Sequence, residues 1–203
     1  MSGIVSSRLA EIVLWKLISY KQTYVLPCKL PCKGTYSQWR KPDPDYVKLN
    51  TDGSLSPSDQ AFGSIARKED GTVHFAYMGS NSKRFIIQQE LMAIDVGLDG
   101  CLKHGITKVL VYSDSMNVVS IVNGLITPPW YCQNIVLFIG NKRTKLSYSS
   151  VNHCYMETNR AADLLAKCVA DSLEILLYFI PPLDEQLSKI IKDDIRGTIY
   201  VRF

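Results

Sequence analysis

Apolar and polar positions alternate through residues 46–54 (YVKLNTDGS), with Val47, Leu49 and Thr51 on one side of an extended chain and Lys48, Asn50 and Asp52 on the other. This period of two predicts a strand. Two more short runs, 61–68 and 72–79, are joined through Glu69-Asp70-Gly71, a hairpin turn signal, so the pattern opens as a three-stranded antiparallel meander. The period then changes. From 83 to 104 apolar residues recur three and four apart, with Ser82 available as N-cap and Gly105 at the C′ position, which predicts a long helix. The nearly unbroken apolar run 106–112 (ITKVLVY) suits a strand covered on both faces. A short helix to Asn123 closed by Gly124, a break at Thr127-Pro128-Pro129, a helix near 131–141, a strand near 146–154 and a helix over about 159–172 follow. The order βββαβααβα predicts an α/β fold: a mixed five-stranded sheet, antiparallel meander plus parallel strands, with helices on its faces.

Two prolines in Lys41-Pro42-Asp43-Pro44-Asp45 interrupt helix and strand pairing alike, and the boundary of the body is placed there. The expected organisation is a basic N-terminal segment (1–42), a body (43–172) and a C-terminal tail (173–203). Charge divides in the same way. Residues 1–42 carry seven Lys or Arg against Glu11 alone, a net of +6, whereas the remainder has 16 basic and 18 acidic residues, a net of −2. Such an arm suits phosphate or a membrane surface, and equally a solvated leader.

With 203 residues, 46% of them apolar, the chain can bury one sizeable core and is neither disordered nor low in complexity. The apolar stretch 12–20 is too short to cross a bilayer and contains Lys16; it also lacks a small-residue cleavage site, which argues against secretion. The expectation is an intracellular protein, nuclear or cytoplasmic, with no membrane partner. Its six cysteines then read as reduced thiols. Cys28 and Cys32 stand three residues apart with no matching Cys or His pair after them, so a zinc site is not expected.

Four carboxylates stand out by position. Asp52 ends the first strand in a DGS sequence that is also a common turn. Glu90 shares a helix face with Ile86, Ile87, Ala93, Ile94 and Gly97, so burial requires it to have a salt-bridge partner, a proton or a metal. Asp114 ends the apolar strand at its carboxyl end, where open α/β sheets place ligands, although it could also cap the next helix. Asp163 shares a face with Asn159 and Ala166. His153, in a strand-to-helix loop, is by itself no more than an ordinary hydrogen-bonding histidine. If the four acids converge, their mutual repulsion calls for cations, and carboxylate oxygens suit Mg²⁺ or Mn²⁺.

TDGS at 51–54, QELMAI at 89–94, YSDS at 112–115 and NRAADLLAK at 159–167 resemble, in this order, the four motifs of type 1 ribonuclease H. The likeness is strongest to the retroelement-derived ribonuclease H-like domains of plants, and it covers roughly residues 39–172, loosely extending to Pro181-Pro182. The resemblance implies a ribonuclease H-like fold and a monomeric endonuclease cutting the RNA strand of RNA–DNA hybrids. It further implies two Mg²⁺ ions, with Mn²⁺ able to substitute, held by Asp52, Glu90, Asp114 and Asp163. His153 would assist product release or proton transfer, and Gly53, Ser54 and Asn159 would contact the hybrid. A catalytically silent nucleic-acid-binding module is the alternative. Between Asp114 and Asp163 only Lys142, Arg143, Lys145 and Arg160 are basic, so the basic protrusion of some family members is missing.

Overall fold

The structure, a computed structural model, describes residues 35–56, 60–82, 85–168, 176–181 and 183–202. A short strand β1 (Thr35–Gln38) precedes the meander β2 (Val47–Leu55), β3 (Gln60–Arg67) and β4 (Val73–Ser80). Helix α1 (Ile86–Lys103) leads to β5 (Lys108–Ser113) and α2 (Met116–Val122). A 3-10 turn (Trp130–Cys132) then opens α3 (Gln133–Arg143), which is followed by β6 (Tyr148–His153) and α4 (Arg160–Lys167). Each predicted strand and helix of the body is therefore present. The chain ends in β7 (Leu176–Phe179), α5 (Glu185–Ile195) and β8 (Ile199–Arg202).

The main sheet has the order β6-β5-β2-β3-β4-β7. Its β2–β3, β3–β4 and β4–β7 pairs are antiparallel, and its β2–β5 and β5–β6 pairs are parallel. The five expected strands form its body and β7 extends it by a sixth on the β4 edge. Register aligns the strand ends. Thr51 pairs with Ser113, and Ser113 with His153, so the carboxyl ends of the three parallel strands lie side by side.

Each face of the sheet has its own core. Leu49, Phe62, Ala66, Phe75 and Tyr77 pack under Leu91, Ile94 and Leu98 of α1, joined by Val118 of α2 and Ile135 and Ile139 of α3. The opposite face sets Ala61, Ile65, Ala76 and Met78 against Leu164 and Leu165 of α4 and Leu187, Ile190 and Ile191 of α5. Lys48, Asn50 and Asp52, the polar side of the first alternation, point to this second face and are buried rather than solvated.

Two helix ends differ in detail from the expectation. Helix α1 begins at Ile86 after an extended Phe85, whose ring stacks on Tyr131 at 4.3 Å, so Ser82 is not its N-cap. The expected end of the last body helix at residue 172 falls outside the described residues, and α4 is followed over them as far as Lys167. At the other end of α1, Gly105 adopts φ +70 and passes its N–H to Leu102 O, while Ile106 N–H reaches Cys101 O. This Schellman closure needs a left-handed residue, and glycine supplies it without steric cost.

The segments flanking the body pack onto it. Strand β1 pairs with β8 in a two-stranded ribbon, and Trp39 is almost wholly buried. Residues 1–34, which hold five of the arm's seven cations and the Cys28–Cys32 pair, lie outside the described residues. Among the described residues Cys101, Cys132, Cys154 and Cys168 form no disulfide with one another. Among the described residues no helix is long and apolar enough to cross a membrane.

Candidate active site

Asp52, Glu90 and Asp114 each offer a carboxylate oxygen lying within 4.8 Å of the other two. Their meeting follows from the fold. Pairing of β2 with β5 sets Asp52 and Asp114 one residue beyond the Thr51–Ser113 partners, at neighbouring strand ends. Glu90 comes from the first turns of α1, which lies so close to β2 that a Cβ on Gly53 would sit 2.5 Å from the Glu90 backbone nitrogen. Glycine at 53 is thus what lets the helix carry its carboxylate to the strand. The Gly53 N–H and the Ser113 hydroxyl donate to the Glu90 carboxylate, the latter at 3.4 Å. Ser115, not Asp114, caps α2 by accepting from Val118 N–H, which leaves the Asp114 carboxylate for the cluster.

Crowding and burial act together on these acids. Burial first, then the charges of Glu90, Asp114 and Asp163, push the Asp52 carboxyl from 3.8 up to about 10. Burial and Asp114 raise Glu90 from 4.5 to about 8. Asp114 is also raised, chiefly by burial, and accepts a hydrogen bond from Asp52. Burial and mutual repulsion thus favour the protonated form of these carboxyls. A hard divalent cation fits this donor set of buried oxygens, since it would replace those protons and offset the repulsion. Zinc-type nitrogen or sulfur ligands are absent from the group.

The remaining expected site residues fall in different places. Asp163 lies close enough for its charge to raise Asp52 and Asp114, yet its carboxylate is bonded to Lys167 at 2.5 Å and stands outside the three-acid group. His153 Nε2 lies 3.2 Å from the Asp114 carbonyl oxygen, beside the cluster. Gly53 and Ser54 are partly exposed next to Asp52. Asn159 differs from the expectation. Its side chain is fully buried, accepting from Asn50 Nδ2 at 3.0 Å and donating to Thr51 O at 2.9 Å, so in this structure it holds the strand that carries Asp52.

Sequence reasoning passed over the residues around Asn50. Arg67 is fully buried, bonded to Asp194 at 2.6 Å and to Asn50 Oδ1 at 3.1 Å, and its guanidinium lies 3.7 Å from the Trp39 ring centre. The only signal in the sequence was a charged residue in a strand otherwise suited to burial. Of the basic residues after Asp114, Lys142 bonds Asp95 at 2.8 Å and Arg143 bonds Ser149 and the Val122 carbonyl, so both are turned to internal partners.

A mixed sheet in this order, with acids gathered at the ends of β2 and β5 and on α1, defines a ribonuclease H-like domain. Residues 50–169 match the reverse transcriptase-like family, and the chain belongs to it. Solved structures agree on the fold. The N-terminal RNase H domain of rv2228c from Mycobacterium tuberculosis superposes with a TM-score of 0.57 at 20% identity, over 60% of this chain and 90% of that one. RNase H1 of the halophilic archaeon Halobacterium salinarum gives 0.56 at 20% identity, over 59% and 93%. LC11-RNase H1, solved in complex with an RNA/DNA hybrid, gives 0.55 at 17% identity, over 59% and 92%. No curated protein matches by sequence.

Proposed function

We propose that the domain hydrolyses the RNA strand of RNA–DNA hybrids using divalent cations, Mg²⁺ with Mn²⁺ as a substitute. The observation that carries this reading is the convergence of Asp52, Glu90 and Asp114, from two strand ends and a helix, at carboxylate oxygens within 4.8 Å of one another. These three acids would hold metal. Asp163, one helix away, would join them on exchanging Lys167 for the cation. When bound, divalent ions at such a site lower the pKa of an attacking water and stabilise the leaving oxygen of an in-line displacement. The chain's own residues do the positioning. Gly53 N–H and the Ser113 hydroxyl hold Glu90 and Asn159 holds the strand before Asp52, while His153 would pass a proton, a role supported by its position beside the Asp114 carbonyl.

Choice of hybrid over duplex DNA requires sensing the 2′-hydroxyls of the cut strand, and Gly53 and Ser54 would do so; their partial exposure beside Asp52 supports that role. The test is cleavage of a labelled hybrid and the matching all-DNA duplex with Mg²⁺ or Mn²⁺, with Asp114→Asn as control. Hybrid cut only by the wild type, at the RNA strand, is the expected result. Equal cutting of duplex DNA would point to a general nuclease. A second reading is favoured by the Asp163–Lys167 pair, which keeps the fourth acid out of the cluster. A silent nucleic-acid-binding module would retain hybrid in a mobility assay and leave it uncut under every metal condition.

A further inference from the structure

A continuous set of buried side chains runs from the C-terminal helix to the acid cluster. Asp194 of α5 pairs with Arg67 of β3 at 2.6 Å, and Arg67 donates a second bond to Asn50 Oδ1 at 3.1 Å. Trp39 Nε1 donates to the same oxygen at 3.0 Å. With its oxygen engaged twice, Asn50 can only present its amide nitrogen onward, and that nitrogen donates to Asn159 Oδ1 at 3.0 Å. The Asn159 amide therefore has a fixed orientation and donates to Thr51 O at 2.9 Å, while its backbone carbonyl accepts from Asp163 N–H at 3.0 Å. At the cluster the set divides in two, reaching the peptide immediately before Asp52 and the first turn of the helix that carries Asp163.

We propose that Arg67 and Asp194 are positioning residues for the acid cluster, so that Asp194, from the C-terminal helix, helps to set the geometry of the active centre. The proposal rests on the reading of that cluster as a metal site. Its physical basis is directionality. Asn50 and Asn159 could each rotate by half a turn about the side-chain amide, and in isolation the two orientations would be nearly equivalent. Arg67 carries only donors, so it admits only the orientation of Asn50 in which the oxygen faces it, and that choice propagates to Asn159 and Thr51. Arg67 in turn is buried without solvent and needs the Asp194 charge to remain in place. Asp194 is itself held by α5, whose Leu187, Ile190 and Ile191 fill the core on that face, and by the Tyr200 hydroxyl of β8, which also accepts from Arg160.

The experiment uses the full chain and two measurements. Calorimetric titration with Mn²⁺ alone compares wild type, Asp194→Asn, Asn159→Ala and the double variant. We expect each single variant to bind about tenfold more weakly and the double variant to lose no more than the worse single, because both break one path. Additive losses, or unchanged affinity in a folded Asp194→Asn, would overturn the proposal. NMR of the Asn159 side-chain amide supplies a readout independent of metal: it should shift and lose exchange protection in Asp194→Asn, and an unmoved resonance overturns the proposal even if the wild type binds no Mn²⁺, a result that by itself would sink only the metal reading. Asp184→Ala, which removes the N-cap of the same helix without touching the path, should leave Mn²⁺ affinity unchanged. If Asp194→Asn does not fold, Tyr200→Phe takes its place, with about a threefold loss expected and the same non-additivity with Asn159→Ala; a Tyr200→Phe protein indistinguishable from wild type in both measurements counts against the path.

Discussion

Replacing Asp52 by Asn should stabilise the metal-free protein, and by more as pH rises. Asp52 titrates near 3.8 in the unfolded chain and is pushed up to about 10 in the folded one. A folded state that keeps a proton its unfolded state releases loses stability with rising pH, by about 1.4 kcal/mol per pH unit for each such carboxyl. The loss begins above the unfolded value and continues to the folded one, so the whole range from about pH 4 to pH 8 lies inside it. That span sets a ceiling of about 6 kcal/mol for Asp52 at pH 8, and partial hydration through the half-buried Asp114 side lowers the expected effect to about 2–3 kcal/mol. An Asn at 52 has the shape of the neutral acid and keeps a donor for Asp114, so it escapes this loss without opening the hydrogen bond that the protonated acid makes. Thermal melts in EDTA from pH 5 to pH 8 should therefore diverge, with the variant melting about 5–10 °C above wild type at pH 8 and the two nearly meeting at the acid end. Saturating Mg²⁺ should reverse the order, since binding at a thousand times Kd adds about 4.1 kcal/mol to the wild type alone, more than the variant's advantage. A wild-type melting temperature that stays flat over this range, or a variant that melts lower at pH 8 in EDTA, would refute the reasoning.

Gly53→Ala should cost about 3 kcal/mol or more and abolish cleavage, because the new methyl must displace the Glu90 backbone; urea melts and Mn²⁺ titration together would show both effects. His153→Ala should slow hybrid cleavage roughly tenfold or more at saturating substrate while leaving the melting temperature within a degree or two. Removing residues 1–34 takes away five cations and should flatten the dependence of hybrid affinity on salt, by about 0.9 in log–log slope for each phosphate no longer neutralised, with cleavage retained. Removing residues 1–42 instead should destabilise the fold, because Trp39 and the β1–β8 pairing leave with it, and differential scanning calorimetry distinguishes the two truncations.

The body was legible because its signals are local. Alternation in 46–54, the three-and-four spacing after residue 85 and the Gly105 stop each arise within one element, and each acid's place relative to its own strand or helix follows from them. What the periodicity could not show is pairing between distant segments. Leu176–Phe179 is a short apolar run without alternation, and only its register against β4 makes it a strand. Thr35–Gln38 finds its partner more than 160 residues away. The burial of Arg67 and Asp194 depends on their meeting each other across the second face, 127 residues apart in sequence. The direction of the Asn159 side chain depends on Asn50, a contact 109 residues apart in sequence.

The ribbon that joins the two ends also governs how this domain can be carried. Thr35 stands opposite Arg202, so the described chain enters and leaves at neighbouring Cα positions, about 5 Å apart in such a pair. A domain with a single doorway can be spliced into a surface loop of another protein without prising that loop open. It can also be cut elsewhere and closed on itself: a short linker from residue 202 to residue 35, with new ends at the exposed Leu125–Ile126 turn, would leave both cores and all four acids untouched.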